Sequence, residues 1–181
     1  MLLQAEQSQL LLIDMQQKLA PAIDDIKAVE QACAWLLQVA MQFDIPLWAT
    51  EQYPQGLGPT LPALAELIPA QQVLEKIHFS ALKEPHIASS LASTERKQVV
   101  VMGAEAHVCV LQTVLDLLAL GYQVFVVHEA VGSRTAENKQ LALARMQQAG
   151  AQIISREMAA FEWLDRAGTD NFRQISKGWI R

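Results

Sequence analysis

Gln98-Val99-Val100-Val101-Met102-Gly103-Ala104-Glu105-Ala106-His107-Val108-Cys109 is an unbroken apolar run, a glycine, a short polar segment and the start of an apolar helix that continues to Leu120. A strand without hydrophobic alternation is one covered on both faces, as in a parallel sheet. The same sequence of short apolar run and longer helical stretch recurs along the chain. Strands are predicted at Gln9–Asp14, Pro46–Thr50, Gln71–Lys76, Gln98–Gly103, Gln123–His128 and Gln152–Ser155. The first stretch between them repeats Val29, Ala32, Cys33, Leu36, Ala40 and Phe43 at helical offsets. Gly121 and Gly150 follow apolar helical stretches and precede strands, where glycine ends a helix in a left-handed conformation. Alternating β and α units imply an α/β fold, a parallel sheet with helices on both faces and right-handed crossovers.

The chain has 181 residues, 51% of them hydrophobic and 18% charged, which suits one domain spanning 1–181 with a core needing no disulfide or structural metal. Acidic residues outnumber basic ones, 19 to 14, for a net charge of -5, so neither nucleic acid nor an anionic membrane is an expected partner. Two cysteines, Cys33 and Cys109, are too few for a disulfide framework. Met1–Gln7 lacks a basic leader region, and Leu10–Ile13 is far short of the roughly 20 residues that span a bilayer. A cytoplasmic location is expected. The loop Tyr53–Pro59 is the one Gly/Pro-rich patch, and neither a GxGxxG phosphate loop nor a GxSxG elbow is present.

Sites in open α/β sheets form beyond the carboxyl ends of the strands. Asp14 ends strand one, Lys76 ends strand three, and Cys109 lies in the first turn after strand four. Taken singly, Asp14 suits a helix cap or a solvated loop acid, Lys76 a solvated edge charge, and Cys109 a small buried hydrophobe. A helix N-terminus lowers a thiol's pKa, however, and Gln112, Thr113 and Asp116 form the one polar face on the helix beyond Cys109. An acid, an ammonium and a thiol meeting in one crevice would supply a nucleophile, its base and a charge partner. Cys33 sits in an apolar stripe and fits simple packing.

These segments together resemble the isochorismatase-like cysteine hydrolases. The likeness covers nearly the whole chain and rests on Leu11-Leu12-Ile13-Asp14-Met15-Gln16, Glu75-Lys76, Val101–Val110 and Ser133-Arg134. Thr50–Gly58 and Lys76-Ile77-His78-Phe79-Ser80 bring it closest to the metal-independent isochorismatase domain-containing proteins. The resemblance implies a three-layer Rossmann-like fold, a six-stranded parallel sheet in the order 3-2-1-4-5-6, and an Asp14–Lys76–Cys109 triad. It also implies a cis peptide between Ala104 and Glu105, and an oxyanion hole made by the N–H groups of Glu105 and Cys109. Metal-binding nicotinamidases carry Asp-x-His after the second strand; Glu51-Gln52-Tyr53 stands here, so no catalytic metal or other cofactor is expected.

Gln52, Tyr53, Phe79 and His107 are the candidate substrate contacts, with packing an equally ordinary role for Tyr53 and Phe79, and loop solvation for His107. The Glu105 side chain either faces the crevice or turns away to pair with a cation such as Arg134. The expected activity is cysteine-dependent hydrolysis of a small amide, carbamate or related acyl compound. A non-catalytic oligomeric scaffold and a thiol sensor are the alternatives. The apolar helix Val108–Leu120, with family habit, implies a homo-oligomer, dimer or tetramer.

Overall fold

A computed structural model describes residues 1–180. Six parallel strands form one sheet: β1 (Ser8–Ile13), β2 (Leu47–Gln52), β3 (Val73–Lys76), β4 (Gln98–Gly103), β5 (Gln123–Val131) and β6 (Gln152–Ile154), in the order β3-β2-β1-β4-β5-β6. The helices are α1 (Ile26–Met41), α2 (Pro54–Leu57), α3 (Pro62–Ala65), α4 (Pro85–Ser93), α5 (Leu111–Ala119), α6 (Ala136–Gln148), α7 (Arg156–Leu164) and α8 (Asp170–Ile175). All six predicted strands are present, and β4 has the bounds expected. The largest difference is β5, which runs on through Val131 because an irregularity in its register beyond Val101 brings Val131 opposite Gly103.

β1 and β4 are buried at every position, which is why their sequences read as continuous apolar runs. Their side chains divide between two cores. Leu10, Leu12, Val100 and Met102 face α1 and α7, while Leu11, Ile13, Val99 and Val101 face α4, α5 and α6. The strand order reverses between β1 and β4, and the two central strands open the crevice at their carboxyl ends.

Gly121 and Gly150 both hold positive φ after their helices, as expected. Gly103 has a different duty. It pairs with Ile13 at φ +138, and a Cβ there would drive into the Ile13 carbonyl. The close approach of β1 and β4 at the crevice therefore requires glycine. Gly103→Ala should lose more than the roughly 1–3 kcal/mol of backbone strain alone, because a backbone clash adds to it. Urea unfolding would measure this, with a variant of unchanged midpoint contradicting it.

Candidate active site

The end of β1 delivers Asp14 through a left-handed residue (φ 52), which turns the carboxylate off the strand into the crevice. Asp14 has no solvent exposure. Its Oδ1 accepts a hydrogen bond from Thr50 Oγ1 at 2.7 Å, and its Oδ2 lies 2.7 Å from Lys76 Nζ. Both charged side chains are fully buried.

Lys76 sits at the end of β3, two strands away. Its Nζ donates to Gln52 Oε1 at 2.6 Å and to the carbonyls of Phe79 and His78 at 3.1 and 3.3 Å. These acceptors surround the ammonium together with Asp14 Oδ2, whose contact to Nζ is an ion pair. The loop that supplies the two carbonyls is itself clamped. Glu84 Oε1 accepts from the N–H groups of Ile77 and His78 and lies 2.9 Å from His78 Nδ1, which holds its carboxyl down at about 2. Contrary to what their spacing suggested, Thr113 and Asp116 bind the loop after β3 rather than the thiol. Thr113 Oγ1 accepts from Ala81 N and Asp116 Oδ2 from Ser80 Oγ, pinning this loop to α5.

Cys109 lies in a wide π-helical turn, Ala106–Val110, that leads into α5. The thiol is 96% buried and flanked by Asp14 and Lys76. The expectation of a thiol acidified by the helix end is reversed. Burial pushes Cys109 up to about 12, with the Asp14 carboxylate adding to the rise and the Lys76 ammonium opposing it. Desolvation and a facing anion outweigh a helix dipole worth about 0.3–1 kcal/mol in ordinary settings. Cys33 is an unreactive core thiol, raised by burial and bonded to Ala130 O at 3.3 Å.

The expected cis peptide is absent; among the described residues every peptide is trans. Glu105 takes a left-handed conformation (φ 57, ψ 55), between Ala104 N bonded to Ile13 O and Ala106 N bonded to Gly132 O. That one residue redirects the chain, so no cis bond is needed. The Glu105 side chain pairs with Arg134, whose Nε donates to Oε1 at 2.8 Å, while Oε2 lies 3.4 Å from His107 Nδ1.

A cavity of about 350 Å³ opens above the thiol, lined by Asp14, Gln52, Phe79, Glu105, His107 and Cys109, with Leu19, Leu57, Val108 and Arg134 completing it. Of the four candidate contacts, Gln52, Phe79 and His107 line it. Tyr53 does not: its ring lies against Gly56, where a Cβ would collide with it. Gln52 serves chiefly as an acceptor for Lys76. Leu19 and Leu57 carried no sequence signal, because they reach the cavity from loops. Gln16 also matters. Fully buried, it bonds Gln52 N, Gln52 O and Gly58 O, fixing the end of β2 to the following loop. Glu51, at the position of a nicotinamidase metal ligand, instead accepts from Thr60 N and Oγ1, both at 2.7 Å. No group of three or more His, Cys, Asp or Glu among the described residues is placed to hold a metal. A larger cavity of about 520 Å³ beside α1 and α6 contains neither cysteine nor the buried ion pair.

Residues 8–158 match the isochorismatase domain. The chain belongs to the isochorismatase family. Mouse isochorismatase domain-containing protein 2A is 38% identical over 175 residues, covering 95% of this chain and 82% of its own. Among solved structures, a protein titled MAR1 ribonuclease from Caenorhabditis elegans superposes with a TM-score of 0.93 at 32% identity, covering 100% of this chain and 93% of its own. The Escherichia coli YcaC product, described as an octameric hydrolase of unknown specificity, gives 0.91 at 24% identity over 99% and 91%. A pyrazinamidase/nicotinamidase from Streptococcus mutans gives 0.68 at 28% over 81% and 99%. The protein is thus an isochorismatase-family hydrolase. No helix among the described residues is long and apolar enough to cross a membrane.

Breaking a buried ion pair from one side costs about 3–5 kcal/mol, because the remaining charge is stranded. Lys76→Met should show a loss of that size in urea unfolding. The Asp14→Asn/Lys76→Met double variant should lose less than the two single losses combined; strict additivity would mean the pair is not coupled.

Proposed function

We propose that this hydrolase cleaves a small uncharged amide, carbamate or related acyl compound through a thioester on Cys109. The observation that carries the reading is the buried Asp14 carboxylate, ion-paired to Lys76 and flanking the protonated Cys109 thiol. A thiol proton has an acceptor there. As sulfur attacks the carbonyl carbon, the S–H proton passes to Asp14 and the S–C bond forms. Collapse of the tetrahedral intermediate breaks the C–N bond, and Asp14 returns the proton to the departing nitrogen. Water then hydrolyses the thioester.

Lys76, 2.7 Å from Asp14, favours the thiolate character of the attacking sulfur. The N–H groups of Glu105 and Cys109 act as oxyanion donors, each worth about 10²–10³ in rate. Glu105 N takes no backbone acceptor among the described residues, which leaves it available. The catalytic set is therefore Asp14, Lys76 and Cys109, with the oxyanion hole built on a trans peptide.

Charge argues for a neutral substrate. Asp14 is cancelled by Lys76 and Glu105 by Arg134, while Leu19, Leu57, Phe79 and Val108 offer apolar walls. The volume sits at the small end of the roughly 300–1,000 Å³ usual for ligand pockets. A thiol sensor fits less well, since oxidation favours exposed thiolates and this sulfur is buried and protonated. Self-association is part of the same reading: Ile77, Phe79, Leu120 and Leu141 each expose more than half of their surface. α5 itself is covered mostly within its own chain, through Leu111, Val114 and Leu117.

Two measurements test the reading. In a screen of small neutral and carboxylate-bearing amides, the neutral ones should be turned over, and Cys109→Ala should reduce their turnover by about 10⁴-fold or more. Retained activity in that variant would refute the covalent route. Iodoacetamide modification of Cys109 should be slow at neutral pH and still rising at pH 10, since the raised thiol releases its proton only well above its ordinary value of 9.0. A rate that levels off below pH 7 would show a resting thiolate instead.

A further inference from the structure

The mechanism above does not yet name the base for the hydrolytic water. Asp14, a carboxylate again once it has returned the thiol proton to the leaving group, stays fully buried, with Thr50 on one oxygen and Lys76 beside the other. His107, two residues before the nucleophile, lines the same cavity with 26% of its side chain exposed. Its Nδ1 is flanked by two oxygens, Ser133 Oγ at 3.0 Å and Glu105 Oε2 at 3.4 Å. Both Ser133 and Glu105 are more than nine-tenths buried, and Arg134 occupies the other Glu105 oxygen.

Such a setting fixes the ring. The Glu105 carboxylate oxygen beside Nδ1, with the Ser133 hydroxyl able to accept, favours the tautomer that carries its proton there, and no described residue bonds Nε2. We infer that His107 is the general base of deacylation. Resting on the thioester reading, the step runs as follows. His107 Nε2 removes a proton from a cavity water as the water oxygen bonds to the thioester carbonyl carbon. The C–S bond then breaks, and the imidazolium proton is passed back to the departing sulfur, giving the free thiol, a carboxylic acid and neutral His107. Glu105 and Ser133 are positioning residues for this ring.

p-Nitrophenyl acetate is a suitable probe, because its leaving group departs without a proton and so isolates the second half of the cycle. Wild type should give a burst of p-nitrophenol followed by a slower steady rate. His107→Gln should keep the burst within about threefold and slow the steady phase by about 10²-fold or more, the ordinary worth of a general base. Intact mass should then show the acetylated enzyme accumulating. Added imidazole should speed deacylation of His107→Ala and leave wild type little changed. Ser133→Ala, which frees one side of Nδ1 without touching Nε2, should slow the steady phase by a smaller factor at an unchanged burst.

Equal deacylation rates in wild type and in a folded His107→Gln, checked by circular dichroism, would overturn the inference while leaving the thioester intact. A burst lost together with the steady phase would also overturn it, assigning His107 to acylation or binding. Absence of any Cys109-linked acetyl group in wild type would instead sink the thioester reading itself.

Discussion

An ammonium and a carboxylate 2.7 Å apart, neither touching solvent, set the terms for what surrounds them. Such a pair is not stabilising in itself, since desolvation cancels much of the attraction. It persists only where further hydrogen bonds satisfy what the pair leaves over. Here the obligations spread outward in a definite order. Lys76 requires Gln52 and the carbonyls of His78 and Phe79. Those carbonyls require a loop held by Glu84 on one side and by Ser80–Asp116 and Ala81–Thr113 on the other. Gln52 in turn is fixed by Gln16. A large share of the buried polar groups at this end of the sheet thus serves one ion pair.

Backbone strain follows the same geography. Asp14, Tyr53 and Glu105 are non-glycine residues with positive φ, and they follow the ends of β1, β2 and β4. A strand that continued in extended conformation would carry its next side chain along the sheet axis, away from its neighbours. A left-handed residue at each end turns the chain sharply, so that groups from separate strands converge within a few ångströms. Such conformations cost of order 1–3 kcal/mol each outside glycine and persist where the surroundings dictate them. The amides of Asp14, Ala104 and Ala106 bond the carbonyls of Thr50, Ile13 and Gly132 at the ends of neighbouring strands, which supplies that constraint.

What the sequence disclosed, and what it withheld, divides along range of interaction. β1 and β4 were legible because parallel strands buried on both faces leave unbroken apolar runs, and the ends of those runs located Asp14 and the Cys109 loop. The order of the strands came from kinship, since periodicity carries no information on lateral neighbours. The polar stripe of α5 was read as facing the thiol, yet Thr113 and Asp116 bind backbone and side chain from a loop some thirty residues earlier in the chain. Spacing along a helix fixes a direction, not the partner that comes to meet it. Tyr53 failed as a cavity residue for a similar reason: a left-handed backbone and the bare Gly56 surface fold its ring outward. Leu19 and Leu57 line the cavity from segments with no sequence periodicity at all.

The protonation state of Cys109 ties these points together. A helix start and a nearby ammonium argue for a thiolate, and both are present around Cys109. They lose to burial and to the anion opposite, because a second negative charge beside Asp14 in a site with little water would be poorly solvated. Neutral thiol plus carboxylate is the better-solvated arrangement at rest. For the proposed thioester route that choice means that the negative charge moves rather than appears. It starts on Asp14, passes through sulfur to the substrate oxygen as the proton moves the other way, and meets backbone N–H groups there. The net charge of the buried set stays constant along the acylation path, with Lys76 fixed beside its origin. A site of this kind gains little from binding an anion, whose charge would add to the one being moved, and the paired Glu105 and Arg134 at its rim offer an incoming anion no free cation.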